Sequence, residues 1–246
     1  MDKIDQLAQW IEESERIVFF GGAGTSTESG IPDFRSATGL YQENGQRGYS
    51  PEEMLSRPFF DREPELFFDF YRGKLLHPDA PPNPVHHLLA ELEQEGKLSA
   101  VITQNIDGLH QKAGSRNVLE LHGSVYRNSC TTCGRGYTLD DVLAQEGVPR
   151  CPLDHGIIRP DVVLYGESLD SDVISQAVAA IAQADLLIIG GTSLTVYPAA
   201  GFVTYFRGNH TVLLNASATS HDRHADLIIT ESMGNVLEQI RQKRCS

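Results

Sequence analysis

The chain has 246 residues, 40% of them hydrophobic and 22% charged, as is typical of a soluble globular protein with one core and an inserted subdomain. A formal net charge of -13 argues against general binding to nucleic acid or to an anionic membrane and is compatible with lysine-bearing partners. No apolar run is long enough to span a membrane and no signal peptide is evident, so the expected location is the cytoplasm.

Short apolar runs alternate with helical patterns along the chain. The strands are predicted at 16–22, 99–105, 117–123, 160–166, 185–191, 211–216 and 226–230. Most of these runs lack polar alternation, which indicates strands buried on both faces of a parallel sheet. The helical patterns lie at 1–15, 83–96, 171–185 and 234–244. This alternation predicts an α/β fold with a doubly wound, mostly parallel, Rossmann-like sheet.

Two segments interrupt the alternation. Residues 40–81 are rich in aromatic residues and proline and predict short helices, while residues 124–155 carry a C-x-x-C pair and a third cysteine. Together they predict a smaller lobe made of a helical module and a zinc-binding module. The Rossmann-like domain then comprises 1–39, 82–123 and 156–246. A cleft between the lobes is the expected ligand site.

The first strand is followed by "FFGGAGTSTESGIPDFR", residues 19–35. Gly22 and Gly24 would let the backbone approach a pyrophosphate, and the N-terminus of a following helix would add its positive end. Hydroxyl groups are available from Thr25, Ser26 and Thr27. The third glycine of the dinucleotide fingerprint is missing and no ribose-binding acid follows about 20 residues on, so a plain glycine turn ahead of a helix is an equally good interpretation.

Polar residues follow two other predicted strands. Gln104, Asn105 and Asp107 come directly after the strand at 99–105, at the end of a parallel strand where ligands bind. Asp107 could equally cap the next helix. His122 ends the strand at 117–123, where a side chain with a pKa near 6.5 suits a general base, although a structural histidine is the commoner case.

The motifs "GAGTSTESGIPDFR", "TQNIDGLH", "LHGS", C-x-x-C, "RPDVVLYGE", "GGTSLTVYPAA" and "LLNAS" occur together and in this order. In this the chain closely resembles the sirtuin family of NAD-dependent protein-lysine deacylases, over nearly its whole length. The resemblance implies a large dinucleotide-binding domain with a small helical and zinc-binding lobe. It also implies that NAD is a co-substrate whose glycosidic bond is cleaved, with no hydride transfer.

The resemblance assigns residues to the NAD site. Those implied to bind NAD are Gly22, Ala23, Gly24, Thr27, Phe34, Arg35, Gln104, Asn105, Ile106, Asp107, Thr192, Ser193, Asn215 and Met233. Within this set Asp107 would bind the nicotinamide amide, Asn215 the adenosine ribose, and Met233 the adenine. The catalytic residues implied are Asn105 and His122.

The implied chemistry begins when the acyl oxygen of a modified lysine attacks the anomeric carbon of the nicotinamide ribose. Nicotinamide leaves and an alkylimidate forms. His122 then helps to deprotonate a ribose hydroxyl that attacks the imidate carbon, and water completes the release of lysine and O-acyl-ADP-ribose.

The partners implied are proteins or peptides that carry acyl-lysine. Such a peptide would insert as an extra strand between 162–169 and 191–200, paired through its main chain. The substrate-binding residues implied are Val162, Val163, Tyr165, Gly166, Glu167, Leu194 and Val196. Many relatives have Trp-Phe in place of Leu164-Tyr165, which changes the rim of the acyl tunnel.

The range of acyl chains depends on one further position. Desuccinylating sirtuins carry Tyr-x-x-Arg in the helical insertion, where this chain has Tyr71 and Lys74. A lysine lacks the bidentate fork of arginine, and the favoured interpretation of Lys74 is a surface residue. We therefore expect removal of acetyl groups, with longer neutral acyl chains as a further substrate class, and no efficient desuccinylation.

The family's structural zinc is held by two C-x-x-C pairs. Here Cys130, Cys133 and Cys151 match, and Asp154 stands in the fourth place. Zinc accepts carboxylate oxygen, although thiolate and Cys/His sets are commoner in structural sites. His155 is the rival fourth ligand, and Cys245 is a remote one. A weakened or metal-free knuckle stays an alternative.

Two other functions remain open. A mono-ADP-ribosyltransferase would cleave NAD in the same way and use a different acceptor. A catalytically silent NAD or ADP-ribose sensor would be favoured by loss of His122 or Asn105, and both are present.

Overall fold

The computed structural model describes residues 2–33, 39, 48–219 and 221–244. The strands are β1 Ile17–Gly21, β2 Leu98–Thr103, β3 Val118–Glu120, β4 Gly123–Cys130, β5 Gly136–Thr138, β6 Ile158–Val162, β7 Leu186–Gly190, β8 His210–Leu214 and β9 Leu227–Ile229. The α-helices are α1 Lys3–Glu13, α2 Pro51–Met54, α3 Arg57–Arg62, α4 Pro64–Lys74, α5 Pro84–Gln94, α6 Leu109–Ala113, α7 Leu139–Leu143, α8 Ser171–Gln183 and α9 Met233–Arg244. Short 3₁₀ turns lie at Ala23–Thr25, Thr27–Ser29, Ala199–Tyr205 and Asp222–His224.

Six of these strands form one parallel sheet in the order β3-β2-β1-β7-β8-β9. The central strands β1 and β7 are buried along their whole length, as the unbroken apolar runs predict. The strand order reverses between β1 and β7, so the crevice beyond their carboxyl ends is the expected ligand site of an open α/β sheet. The predicted doubly wound α/β fold is confirmed.

The sheet is covered on both faces. One apolar cluster joins the sheet to α1, α5 and α9, and a second joins its other face to α8 and the turn at Ala199–Tyr205. Helix α1 contributes Ile4, Leu7 and Ile11, which share one face at helical spacing and are buried. The core therefore consists of two layers of side chains around the sheet.

The strand predicted at 160–166 is not in the parallel sheet, which is a correction to the sequence-based expectation. Its first part belongs to β6, which pairs antiparallel with β4 in a separate sheet of order β5-β4-β6. Burial alternates along β6, as expected for a strand with one solvated face. A short apolar run does not reveal which sheet a strand joins, and pairing with β4 decides it here.

The strand predicted at 117–123 is also divided. Strand β3 ends at Glu120 in the parallel sheet, and β4 begins at Gly123 in the antiparallel sheet. Gly123 has φ +76°, and a Cβ there would lie 1.9 Å from the carbonyl oxygen of Asp161, so only glycine fits. His122 is thus held at the junction of the two sheets.

Residues 48–74 form short helices, as predicted for the described part of the first insertion. Helices α2, α3 and α4 enclose an aromatic cluster that also contacts β4 and β6. Arg72 of α4 donates to the carbonyl oxygens of Val142, Gln145 and Gly147, at the end of α7. These bonds reach carbonyls at and just beyond the end of α7 and connect α4 to the cysteine-bearing segment.

Within the described ranges, every helix is too short or too polar to cross a lipid bilayer.

Candidate functional site

A cleft of about 660 Å³ opens beyond the carboxyl ends of β1, β2 and β7, where the strand order reverses. It is bordered on its other side by the residues after β6 and by the end of α4. The predicted NAD residues that line it are Gly22, Ala23, Gly24, Gln104, Asn105, Ile106, Asp107, Thr192, Ser193 and Asn215. The predicted catalytic and substrate residues that line it are His122, Val162, Val163, Tyr165, Gly166, Glu167 and Val196.

The structure does not bring every predicted residue to this cleft. Thr27 is exposed outside it and donates to the carbonyl oxygen of Gly24. Leu194 and Met233 are only 2% and 7% exposed and belong to the apolar core beside the sheet. Phe34 and Arg35 lie outside the described residues.

The loop after β1 differs from the expected glycine loop with a following α-helix. It continues as two short 3₁₀ turns, Ala23–Thr25 and Thr27–Ser29, and between residues 22 and 33, where the structure describes this loop, no α-helix begins. A Cβ on Gly24 would lie 2.6 Å from Cα of Gly191, which itself has φ +61°. The glycines therefore allow two chain segments to touch, besides lining the cleft.

A hydrogen-bond chain links this loop to the residues after β2. Nδ2 of Asn105 donates to the hydroxyls of Thr25 and Ser26, at 2.8 and 3.0 Å. The Ser26 hydroxyl donates to Oδ2 of Asp107 at 2.7 Å, and Oδ1 of Asp107 accepts the N–H of Leu109 at 3.0 Å. Asp107 thus both holds the first turn of α6 and lines the cleft.

Burial raises the pKa of Asp107, whereas the hydrogen bonds from Ser26 and Leu109 act in the opposite direction. Its carboxylate already accepts one hydroxyl and one backbone N–H. The remaining lone pairs of the oxygens can accept from a ligand amide in the cleft.

His122 is oriented by a single backbone bond. Its Nδ1 lies 2.9 Å from the carbonyl oxygen of Gln104. A carbonyl can only accept, so Nδ1 carries the proton and Nε2 is the basic nitrogen. Burial lowers the pKa of His122, and the Gln104 bond partly opposes this. The imidazole is therefore neutral at physiological pH, in the form that a general base requires.

Three predicted cofactor residues bind one another at the switch point. Gln104 donates from Nε2 to the hydroxyl of Thr192 at 3.0 Å. Asn215 accepts the Thr192 N–H at 3.0 Å and donates to the Thr192 carbonyl at 2.9 Å. These bonds tie the ends of β2, β7 and β8 together, so the floor of the cleft is held in one shape before any ligand enters.

Glu167, which the resemblance places among the substrate-binding residues, forms ion pairs with two arginines. Its carboxylate pairs with Arg159 at 2.7 and 3.0 Å and with Arg57 at 3.1 Å, and it accepts the N–H of Leu164 at 2.9 Å. Burial alone would raise the pKa of Glu167, but these donors lower it to about 2. The side chain therefore holds the shape of the cleft rim.

Tyr165 is joined to the helical module by its backbone. It donates its N–H to Leu55 at 3.0 Å and accepts the N–H of Arg57 at 2.9 Å. Its ring is 41% exposed at the edge of the cleft, as is that of Tyr197 at 71%. Exposed aromatic rings flanking a cleft are suited to covering an apolar ligand.

Lys74, which was expected to be a surface residue, lies at the edge of the cleft. Lys74 is half-buried and lines the cleft together with Leu75 and His77. Tyr71, three residues earlier, lies in the aromatic cluster and is fully buried, and burial raises its pKa. The two members of the Tyr-x-x-Lys pair thus have separate environments.

Several residues that line the cleft were given no role from the sequence, although the motif "LLNAS" contains two of them. Those after β8 are Ala216, Ser217, Ala218 and Thr219. They follow a buried strand of the parallel sheet, so the rule that drew attention to Gln104 would have found them. Ser26, which bridges Asn105 and Asp107, was noted only as a hydroxyl, because its partners are 79 and 81 residues away.

The cysteines converge on a second site, apart from the cleft. The ligand atoms of Cys130, Cys133, Cys151 and Asp154 all lie within 4.8 Å of one another. Sγ of Cys133 and Cys151 are 3.8 Å apart, and Sγ of Cys130 is 3.3 Å from Oδ1 of Asp154. Tetrahedral zinc with Zn–S bonds of ~2.3 Å needs ligand separations of about 3.8 Å, so this set fits a structural zinc ion.

The neighbours of this cluster favour Asp154 over His155. The N–H of Gly156 donates to Oδ1 of Asp154 and lowers the pKa of the carboxyl to about 2, which keeps it ionised as a metal ligand must be. The hydroxyl of Tyr137 donates to Sγ of Cys151 at 3.0 Å. Among the described residues His155 is not part of the cluster. Cys245 lies outside those residues.

The fold and the two sites define a doubly wound α/β protein with a ligand cleft at its switch point and a separate metal knuckle. Residues 22–198 match the model of the Sir2 family. The chain therefore belongs to the Sir2 family, and the resemblance to sirtuins is confirmed.

Curated relatives cover the whole chain. A protein of Clostridium acetobutylicum named NAD-dependent protein deacetylase is 55% identical over 241 residues, which are 98% of each chain. One of the same name from Cutibacterium acnes is 56% identical over 238 residues, covering 97% of each chain.

Solved structures agree with the fold. A complex described as Sir2 with a p53 peptide and NAD⁺ has a TM-score of 0.88 and 36% identity, covering 100% of this chain and 99% of that one. A structure of Sir2Tm bound to a propionylated peptide has a TM-score of 0.87 and 36% identity, covering 99% of both chains.

Proposed function

We propose that the protein is an NAD-dependent protein-lysine deacetylase that yields free lysine, nicotinamide and O-acetyl-ADP-ribose. The observation that carries the proposal is the presence in one cleft of a neutral His122 with Nδ1 fixed and of the linked pair Asn105 and Asp107. The names of the relatives and the NAD and peptide contents of the solved complexes support it. Removal of longer neutral acyl chains belongs to the same proposal.

The chemistry proposed for the cleft separates two tasks. Asp107 and the residues around Asn105 bind the nicotinamide amide and orient the ribose for loss of nicotinamide. His122 then accepts a proton at Nε2 from a ribose hydroxyl, since Nδ1 is committed to the Gln104 carbonyl. Thr192, Ser193 and Asn215 are proposed to bind phosphate or ribose along the end of β7 and β8.

The acyl-lysine peptide is proposed to lie between the residues after β6 and the residues after β7. Val162, Val163 and Gly166 line the cleft on one side, and Val196 lines it on the other. Main-chain pairing between these segments would make recognition tolerant of peptide sequence. Because the backbone N–H groups of Val163, Leu164 and Tyr165 already bond within the protein, carbonyl groups of this segment and the N–H of Gly166 would provide the pairing groups.

We infer a division into the Rossmann-like domain of 1–39, 82–123 and 156–246 and a small lobe of 40–81 and 124–155. Two apolar clusters lie around the parallel sheet, and two others lie mainly in the described parts of the insertions and include residues of and next to β6, which supports the division. The pairing of β6 with β4 associates residues 158–162 with the small lobe by hydrogen bonding. A cytoplasmic location is also proposed, because a close C-x-x-C pair that binds metal is typical of intracellular proteins.

Zinc, held by Cys130, Cys133, Cys151 and Asp154, would be structural, since the cluster stands apart from the cleft. A site with three thiolates is expected to lose zinc to a chelator faster than a four-cysteine site. Asp154→Cys should slow the release measured with a colorimetric chelator, and Asp154→Ala should accelerate it at least about tenfold.

His155→Ala is the control for this experiment and should leave the release rate unchanged. Acceleration in His155→Ala with none in Asp154→Ala would identify His155 as the ligand. Metal analysis of the purified protein gives the starting zinc content.

The function is tested by following nicotinamide release and lysine deacylation together. The substrates are NAD with acetyl-, succinyl- and long-chain acyl-lysine peptides. We expect acetyl removal matched one-to-one by nicotinamide, with succinyl removed least because Lys74 offers no bidentate fork. Succinyl removal faster than acetyl removal would contradict the predicted acyl range.

The rival functions predict other outcomes of the same assay. NAD consumption with ADP-ribose transferred to a protein and no acyl removal would indicate a mono-ADP-ribosyltransferase. NAD or ADP-ribose binding without any turnover would indicate a sensor.

A further inference from the structure

Asn83 precedes helix α5 and is only 5% exposed. It is not one of the residues that line the cleft. Its Oδ1 accepts the N–H of Val85 at 3.0 Å, and its own N–H donates to Nδ1 of His86 at 3.1 Å. These bonds cap the helix, and an N-cap needs only a side-chain acceptor.

The other end of the Asn83 amide serves a different purpose. Nδ2 donates to the carbonyl oxygen of Thr25 at 2.8 Å and to the hydroxyl of Ser29 at 3.0 Å. Both protons of the amide are thus used on the loop after β1, 54 and 58 residues earlier in the chain. Thr25 and Ser29 are themselves buried, so these bonds are shielded from water.

The same loop holds the residues proposed to bind nicotinamide. The Thr25 hydroxyl accepts from Nδ2 of Asn105 at 2.8 Å, and the Ser26 hydroxyl connects Asn105 with Asp107. Asn83 therefore contacts the back of the turn whose front orients Asn105 and Asp107.

We propose that Asn83 is a positioning residue for NAD cleavage. The two N–H donors on its Nδ2 fix the loop at 23–29, and this loop in turn fixes Asn105 and Asp107. This inference rests on the proposed function of the cleft. Without those donors the carbonyl of Thr25 and the hydroxyl of Ser29 lose a buried partner, and the turn gains alternative conformations.

The test uses Asn83→Ser in the full chain. Serine is an N-cap as good as asparagine, but its single hydroxyl cannot cap α5 and bind both loop acceptors. We expect kcat/KM for NAD to fall about 10-fold to 100-fold, with KM for the acetyl-lysine peptide unchanged. Without any ligand, hydrogen exchange at the amides of Ser26, Ser29 and Gly30 should become faster.

Thr138→Ala is the matched control, because it removes the capping side chain of α7, which has no bond to the loop. It should lower stability and leave both readouts at the wild-type values. If Asn83→Ser folds poorly, Ser29→Ala removes one of the two loop bonds and should change both readouts in the same direction by a smaller factor.

The inference would be overturned if Asn83→Ser had wild-type NAD kinetics and wild-type hydrogen exchange in the loop. It would also be overturned if Thr138→Ala changed both quantities as much as Asn83→Ser does. If the wild-type protein does not cleave NAD, the proposed function fails, and the exchange measurement alone still decides whether Asn83 holds the loop.

Discussion

Replacement of His122 by alanine is expected to lower the rate of deacetylation by about 10²-fold to 10⁴-fold, the usual contribution of a general base. The reason is the fixed bond from Nδ1 to the Gln104 carbonyl, which leaves Nε2 as the basic nitrogen in the cleft. Nicotinamide departs before this base is needed, so exchange of labelled nicotinamide into NAD should decrease less than deacetylation does.

The pH profile of the wild-type enzyme should report the same group. Burial lowers the pKa of His122 below its usual 6.5, so the neutral base persists at pH 7. Deacetylation should therefore be independent of this group at pH 7 and fall only below about pH 6.5. The acidic limb of this profile should be absent from the residual activity of His122→Ala.

His224→Ala is the control, because His224 is exposed and does not line the cleft. It should have wild-type rates and the wild-type pH profile. Full activity of His122→Ala, or equal loss of nicotinamide exchange and deacetylation, would contradict the role of His122 as the base for the second step.

The second large effect concerns stability in acid. His86 and His110 are 0% and 1% exposed, with ring centroids 4.7 Å apart. Among the described residues, Nε2 of His86 and both nitrogens of His110 have no hydrogen-bond partner. Burial, and then the neighbouring histidines, lower the pKa of His86 to about 4 and of His110 to about 3.

The folded protein therefore binds fewer protons at this pair than the unfolded chain does. The stability from keeping both rings neutral is fully present above pH 6.5 and is lost as the pH falls towards 4 and 3. Each histidine should contribute a slope of about 1.4 kcal/mol per pH unit over that interval. Urea denaturation followed by circular dichroism between pH 7.5 and 4.5 measures it.

His110→Leu is the informative variant, since His86 also accepts the N–H of Asn83. Leucine fills a similar volume without unpaired nitrogens, so stability at pH 7.5 should change little. The fall in stability below pH 6.5 should be smaller than in the wild type by about 1.4 kcal/mol per pH unit, which is the contribution of the one histidine removed. The wild-type slope in His110→Leu would mean that other groups control acid unfolding.

The features that the sequence predicted correctly depend on residues close together in the chain. The apolar runs of β1 and β7 and the helices at 83–96 and 234–244 follow from periodicity and residue type, and the structure has them where they were expected. The polar residues after β2 were recognised because strand ends are where an α/β sheet binds ligands, whereas Thr192 and Ser193 after β7 were implied by the family resemblance.

Other features depended on partners distant in the chain. The run at 160–166 was expected in the parallel sheet, and only the partner β4 places its first part in an antiparallel one. Leu194 follows β7 and Met233 begins α9, both near the cleft, yet both side chains are buried in the core. Lys74 lies in the cleft because α4 ends there, which no local pattern encodes.

By itself the sequence determined the fold class, the family, the positions of β1, β2, β7, β8 and β9 and of α1, α5, α8 and α9, and the residues that reach the end of β2. Only the tertiary structure decided why Gly24 must be glycine, which atom of His122 is basic, that Asp154 completes the cysteine cluster, and that Asn83 holds the loop. Propensity and periodicity act between residues a few positions apart. These four features are contacts between segments distant in the chain, formed when the sheet and helices pack.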